Sequence, residues 1–456
     1  MPGAWRCEVC GYVHDGAEPP ERCPVCGASR DRFVPVALGI APASAAPPAV
    51  EGDRAVRIVI LGGGVAGVTA AGHARATAPK ASVTLVSDEP VLPYVRLDLT
   101  RLLAGEVEEH ALALQPEAWY DEQRIERVQG SAGALRRGAR LLILEDGRSL
   151  PYDRLVLACG AQPFRPPVPG LEGDGVYTLR TLADARRLLA AARPGLRVAC
   201  IGGGLLGLET AGALARRGCA VTVLEGSAWL LPRQLAEPAG RVLERHVEGA
   251  GIGVRSGVRV TSIERGADPL VVHLAEGAPV GADCVVVAAG IRPEVWIARQ
   301  AGLQVRRGVI VDDRMTTSDP AVLAAGDVAE HAGVVYGIWP AAWAQGAVAG
   351  VVAAGGEAAF PGMAPSTRLK VLHVDVFSAG VVEAPDATHS VHEEDRDGVT
   401  VRLVVADGRL AGATVLGDPQ LATLLLDVLQ AGTPVLESPP LLERFPALRA
   451  LGGAQL

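Results

Sequence analysis

The feature that most restricts what this chain can fold into is a glycine-rich turn used twice in the same setting. Arg57–Leu61 reads as a short buried strand, Gly62-Gly-Gly-Val-Ala-Gly67 as a turn, Val68–Ala76 as a helix and Ser82–Val86 as a second strand. The plan returns as Arg197–Ile201, Gly202-Gly-Gly-Leu-Leu-Gly207, a helix through Arg217, and Ala220–Leu224. Between strand and helix, the first glycine (Gly62, Gly202) makes the tight turn. The second (Gly64, Gly204) lets a pyrophosphate approach the backbone, and the third (Gly67, Gly207) lets helix and strand pack closely. The helix N-terminus then offers unpaired N–H groups to the phosphates. Ala66 lies in the same turn and counts with the candidate binding residues. Two such units predict two dinucleotide sites on an α/β fold.

Acidic residues at the second strand ends refine this. The second copy ends Val221-Thr-Val-Leu-Glu225, and a carboxylate there can bind a ribose 2′-hydroxyl while repelling a 2′-phosphate. No arginine follows directly, although Arg233 is nearby, so NADH is favoured over NADPH. In the first copy the aligned position is Ser87, and the acids Asp88 and Glu89 follow it.

The remaining composition fits this reading. At 456 residues the chain has room for about three domains. Aromatics are few and small apolar residues abundant, as suits helices laid closely on buried parallel sheets. The net charge of −8 is spread along the chain, with no basic stripe to bind nucleic acid. No signal-peptide core and no apolar run of about 20 residues is present, so a soluble cytoplasmic protein is expected.

Cysteines are unevenly placed. Cys159, Cys200, Cys219 and Cys284 occur singly in apolar stretches and read as buried thiols. Cys7, Cys10, Cys23 and Cys26 form two C-x-x-C knuckles, each followed by glycine, with twelve residues between them. Four thiolates at this spacing close a tetrahedral site for zinc or a single iron. A module this small needs the metal for its folding energy. His14 reads as a surface residue. A Pro/Ala-rich linker follows over 36–54.

The order of motifs resembles the two-dinucleotide flavoproteins of the NADH–rubredoxin reductase and nitrite reductase flavin-module kind, over roughly residues 55–380. The resemblance rests on Pro93-Tyr-Val-Arg-Leu-Asp-Leu-Thr-Arg101, Leu155-Val-Leu-Ala-Cys-Gly160, Val287-Ala-Ala-Gly-Ile-Arg-Pro293, Thr316 through Gly326-Asp327, and Trp339-Pro-Ala-Ala-Trp-Ala-Gln-Gly346. It implies a glutathione reductase-like fold with FAD on the first turn and NAD(P)H on the second. Arg96, Cys159, Gly160, Gly326 and Asp327 would lie at the FAD, Gly290 and Glu209 near the nicotinamide, and Arg101 beside the flavin ring. Leu97, Arg101 and Cys159 depart from the family's usual Pro, Lys and Thr. Residues 5–28 resemble the short rubredoxin domain of rubrerythrins, with Trp5, Tyr12 and Phe33 as its aromatic core; that resemblance favours iron.

The implied organisation is a rubredoxin-like module over 1–35, a linker, FAD-binding segments at 55–170 and 290–360, an NAD(H)-binding domain at 171–289, and a C-terminal α+β interface domain from 361 to 456. In that last segment Lys370–Phe377 and Val399–Val405 read as strands and Leu421–Leu429 as a helix. Leu92–Gly105 contains no cysteine, so a thiol relay beside the flavin is not expected. Electrons would pass from NADH to FAD, to the iron module and on to a downstream redox protein, in a monomer or homodimer. Two alternatives stay open at this point: a flavin module serving a separate acceptor such as a nitrite reductase, and a zinc-knuckle, NADH-responsive scaffold.

Overall fold

The computed structural model describes residues 4–7, 12–23, 28–35, 55–265, 269–363, 366–372 and 374–451. Cys10, Cys26 and the 36–54 linker lie outside the described residues.

The N-terminal module is a three-stranded antiparallel sheet, with β1 (Ala4–Cys7) between β2 (Val13–Asp15) and β3 (Phe33–Pro35). Cys7 N–H donates to the Tyr12 carbonyl, and Cys23 N–H to the Ala28 carbonyl, both at 2.7 Å. The two knuckle segments are thus closed by the same backbone bond. Tyr12 and Phe33 are buried with Cys7 and Cys23, and Trp5 packs against them. His14 departs from expectation: it is half-buried, and burial lowers its pKa.

β4 (Arg57–Leu61) is apolar on both faces because it lies inside a parallel sheet. It leads through the first glycine turn into α1 (Val65–Thr77), which starts three residues earlier than the sequence suggested. β5 (Ser82–Ser87), the short helix α2 (Leu99–Ala104), β6 (Ile125–Gln129) and β7 (Arg154–Leu157) follow. Leu141–Leu144 turns back onto Ser149–Pro151 in a separate antiparallel sheet, while β7 pairs parallel to β4.

The chain then builds a second parallel sheet from β8 (Val176–Tyr177), β9 (Arg197–Ile201), α3 (Leu205–Arg216), β10 (Ala220–Leu224), β11 (Gly253–Arg255) and β12 (Cys284–Val287). Its strand order is β8-β12-β9-β10-β11. Val280–Ala282 pairs in a small antiparallel sheet, and Cys284–Val287 enters the parallel one.

The chain returns to the first sheet with β13 (Val322–Ala324), giving the order β13-β7-β4-β5-β6. α4 (Trp339–Ala353) packs along α1. A Cβ on Gly346 would stand 2.4 Å from the Ala66 carbonyl oxygen, and one on Gly350 2.3 Å from that of Ala70. Only glycine permits so close a crossing.

The C-terminal domain is a five-stranded antiparallel sheet of β14 (Ser366–Val371), β15 (Val374–Gly380), β16 (His389–Arg396), β17 (Val399–Ala406) and β18 (Arg409–Leu416), with α5 (Pro419–Ala431) against it. The strand expected over Lys370–Phe377 is a tight hairpin, with Leu372 in the left-handed region at φ 46°. Its tip rests on the second parallel-sheet domain: Leu372 meets Gly212 of α3, and its carbonyl is 2.8 Å from His246 Nε2. Among the described residues no helix is long and apolar enough to cross a membrane.

Candidate active site

The two glycine turns have matching geometry. A Cβ on Gly62 would fall 2.1 Å from the Ala158 carbonyl oxygen, and one on Gly202 2.4 Å from that of Ala288; both glycines have strongly positive φ. Gly67 and Gly207 lie so close to the preceding turn that a Cβ would sit 1.9 and 2.0 Å from the Gly62 and Gly202 carbonyl oxygens. Gly64 and Gly204 differ: a Cβ there would meet nothing within 4 Å. Both are helix N-caps, and neither α1 nor α3 has a side-chain cap. Open space therefore lies before two sets of uncapped N–H groups, a cradle that fits two pyrophosphates.

Glu225 is built into the second turn. Its Oε2 accepts from Gly203 N–H and its Oε1 from Ser227 N–H, both at 2.7 Å. At the first turn Asp88 is exposed, whereas Glu89 is committed elsewhere. Glu89 accepts from Tyr94 Oη at 2.7 Å and pairs with Arg96 at 2.8 Å. Of the two acids, Asp88 is the one left with its carboxylate open to a ribose.

A cavity of about 590 Å³ runs between the domains. It draws together Gly64, Ala66, Arg96, Gly160, Gly326 and Asp327 from the first nucleotide domain, with Glu209 and Gly290 across from them. Arg101 and Cys7 also reach it. Gly62, Gly67, Gly202, Gly204, Gly207, Asp88, Glu89, Glu225 and Cys159 are not part of its wall. The Cys159 thiol donates to the Glu294 carbonyl at 3.3 Å, and burial pushes it up to about 12.

Arg180 was not foreseen. Its guanidinium is 3.1 Å from Asp327 Oδ2, and its carbonyl accepts from Arg96. Two cations and Asp327 thus meet at one end of the cavity. Arg180 follows β8, 147 positions from Asp327, and no local pattern announces that meeting.

Arg101 and Glu209 both line the cavity, and Arg101 has carboxylate partners of its own. It pairs with buried Asp98 at 3.2 Å and with Glu106 at 3.3 Å. Glu209 instead accepts from the Thr100 hydroxyl at 3.2 Å. Burial raises Glu209 to about 7, opposed by that hydrogen bond, and raises Asp98 to about 6, opposed by Arg101. Glu209, a carboxyl able to hold a proton near neutrality, therefore lines the cavity, while Asp98 is buried behind its wall residues Leu97 and Leu99.

The module closes one side. Arg6 and Cys7 of β1 line the cavity, and Trp339, the first residue of α4, packs into the module's aromatic cluster. The Tyr12 and Trp339 ring centroids are 5.7 Å apart. Among the described residues no cluster holds three metal-ligating side chains, since only two of the four knuckle cysteines are described. Cys7 and Cys23 share one buried cluster, as two ligands of one thiolate site must.

Comparison with known proteins bears on this arrangement. The family described as "Pyridine nucleotide-disulphide oxidoreductase" matches residues 56–346, well over half of the chain. The chain belongs to this family. A "Rubrerythrin, rubredoxin-like domain" matches residues 5–34, and a "Rubredoxin NAD+ reductase C-terminal domain" matches residues 365–433. The chain is 34% identical to the rubredoxin-NAD(+) reductase of Pseudomonas putida over 61% of this chain and 74% of that protein. It is 33% identical to the assimilatory nitrate reductase electron transfer subunit of Bacillus subtilis over 82% of this chain and 49% of that protein. The chain spans about half the length of this and similar nitrite reductase relatives. Among solved structures, a covalent putidaredoxin reductase–putidaredoxin complex matches with a TM-score of 0.77 and 28% identity, over 87% of this chain and 100% of that one. As a pyridine nucleotide-disulphide oxidoreductase, the chain is an α/β flavoprotein for which FAD and NAD(H) are implied. The rubredoxin-like domain implies a metal.

Proposed function

We propose that this oxidoreductase takes electrons from NADH through FAD, releases them to a four-thiolate iron centre in its own N-terminal module, and passes them to a separate redox protein. The observation that carries this reading is that Cys7 lines the same cavity as Gly326, Asp327 and Glu209. FAD, when bound, supplies hydride acceptance and single-electron release.

The chain's own residues supply binding and position. The Gly62–Gly67 turn and the α1 N-terminus hold the FAD pyrophosphate, with Arg180 and Arg96 at hand to balance its charge and Asp327 to bond its sugar chain. The Gly202–Gly207 turn and Glu225 hold NADH, and Gly290 leaves room for it. Glu209 and Thr100 form the wall beside the nicotinamide. Arg101 keeps Asp98 and Glu106 in place there. Cys7, Cys10, Cys23 and Cys26 hold the metal, and iron suits a one-electron outlet where zinc would carry no current. The absence of cysteine from Leu92–Gly105 removes a thiol route, which favours the metal route.

Mixing the protein with NADH under anaerobic stopped flow should bleach the flavin band first and the iron–thiolate band after it. An iron band that stays unchanged while the flavin bleaches defeats the proposal. The nitrate and nitrite reductase relatives support a second reading, in which a separate acceptor takes electrons directly from the flavin. Removing residues 1–52 separates the two, since only the second reading predicts unchanged delivery.

A further inference from the structure

The module covers one face of the flavin cavity with contacts of a domain core. Val13 of β2 is only 5% exposed and belongs to the apolar core of the first nucleotide domain, not to the module's own cluster. Trp339 of α4 makes the reverse contact and packs into the module's cluster beside Trp5, Tyr12 and Ala28. The two parts thus exchange side chains. Arg6 and Cys7 of the module line the same cavity as Gly326, Asp327 and Ala342.

A free electron-carrying protein must still lay its own surface against its partner, although redox encounters bury less than about 1,200 Å² in total. On this face Trp339 is the large aromatic such a carrier would seat against, and the module already holds it. We infer that the docked module is a plug: it bars protein-sized acceptors from the flavin on this face, so that electrons leave for other proteins only by way of the module. The inference rests on the placement of the flavin given above, but not on the metal being iron.

Zinc substitution separates the two ideas, because a zinc site keeps the module folded and passes no electrons. The full-length zinc form, given NADH anaerobically, should bleach its flavin and reduce ferricyanide, while reducing cytochrome c slowly. Val13→Glu in the same zinc form should undock the module and raise cytochrome c reduction by roughly tenfold or more, the shift in docking expected from losing one buried valine. Ferricyanide reduction should change little. Zinc and flavin content show whether the variant has folded, and Val13→Ser is the milder substitute with a smaller change in the same direction. Equal cytochrome c rates in the zinc forms of wild type and a folded Val13 variant would overturn the inference. Failure of the iron band to bleach in the iron form would refute the electron route instead and leave this comparison intact.

Discussion

Glu225→Gln tests how the second nucleotide site is built. The carboxylate accepts two backbone N–H bonds of 2.7 Å, from Gly203 inside the glycine turn and from Ser227 beyond β10. A carboxylate has about four lone-pair positions, so two remain for the ribose hydroxyls. An amide has one oxygen. It can keep one of the two backbone bonds, but must then aim its NH₂ at the other donor. The loss is one charge-assisted bond, about 1.5–3 kcal/mol. Because Gly203 lies between the two glycines that shape the turn, the loss falls on the nucleotide site. The half-saturating NADH concentration for flavin bleaching should rise roughly 10- to 150-fold. NADPH should lose less, because the charge that repels its 2′-phosphate is gone. Flavin content should not change. An anaerobic NADH titration of the visible spectrum reads all three quantities. An NADH midpoint within roughly twofold of wild type, less than about 0.5 kcal/mol, would refute the argument.

Three further outcomes follow from the same geometry. Gly207→Ala would put a Cβ 2.0 Å from the Gly202 carbonyl oxygen, so NADH binding should fall sharply while the purified protein keeps its flavin. Arg180→Gln removes the cation 3.1 Å from Asp327, and the purified variant should carry less flavin by absorbance ratio, with partial recovery when FAD is added. Glu209→Gln should stabilise the protein only at higher pH. Burial raises this carboxyl from 4.5 to about 7, so it is neutral in both folded and unfolded chains below pH 4.5 and costs nothing there. The cost of holding its charge grows as pH rises towards 7 and reaches about 3 kcal/mol above it, an upper bound because Glu209 borders a cavity. Urea unfolding of the two proteins should therefore coincide near pH 4.5 and separate at pH 8.

The parts of the site legible in the sequence are those fixed by local backbone geometry. Gly62, Gly67, Gly202 and Gly207 each face a carbonyl within a few residues or on the adjoining strand end, and the motif spacing encodes that closeness. The aromatic core of the module was legible for a similar reason: Tyr12 and Phe33 are among the few large side chains available to it. Glu89 shows the limit. Its position marks it as a ribose acid, but Arg96 and Tyr94 claim it through tertiary contact. Arg180 and Thr100 gain their places through chain crossings that no local pattern records. The hairpin at Leu372 was hidden because an apolar β pattern runs through the turn, with leucine in a backbone region that usually calls for glycine.

The first parallel sheet has a consequence for the order in which the chain folds. Its strand β7, residues 154–157, lies between β4 and β13, and β13 arrives only at residues 322–324. All strands of the second parallel sheet lie between residues 176 and 287. That domain can close on local contacts as synthesis proceeds, while the first waits for a partner more than 160 residues downstream, which is slow by topology. A ribosome paused before Val322 therefore holds a finished second parallel-sheet domain beside a first one with an open hydrophobic strand edge, the form of this chain most exposed to aggregation.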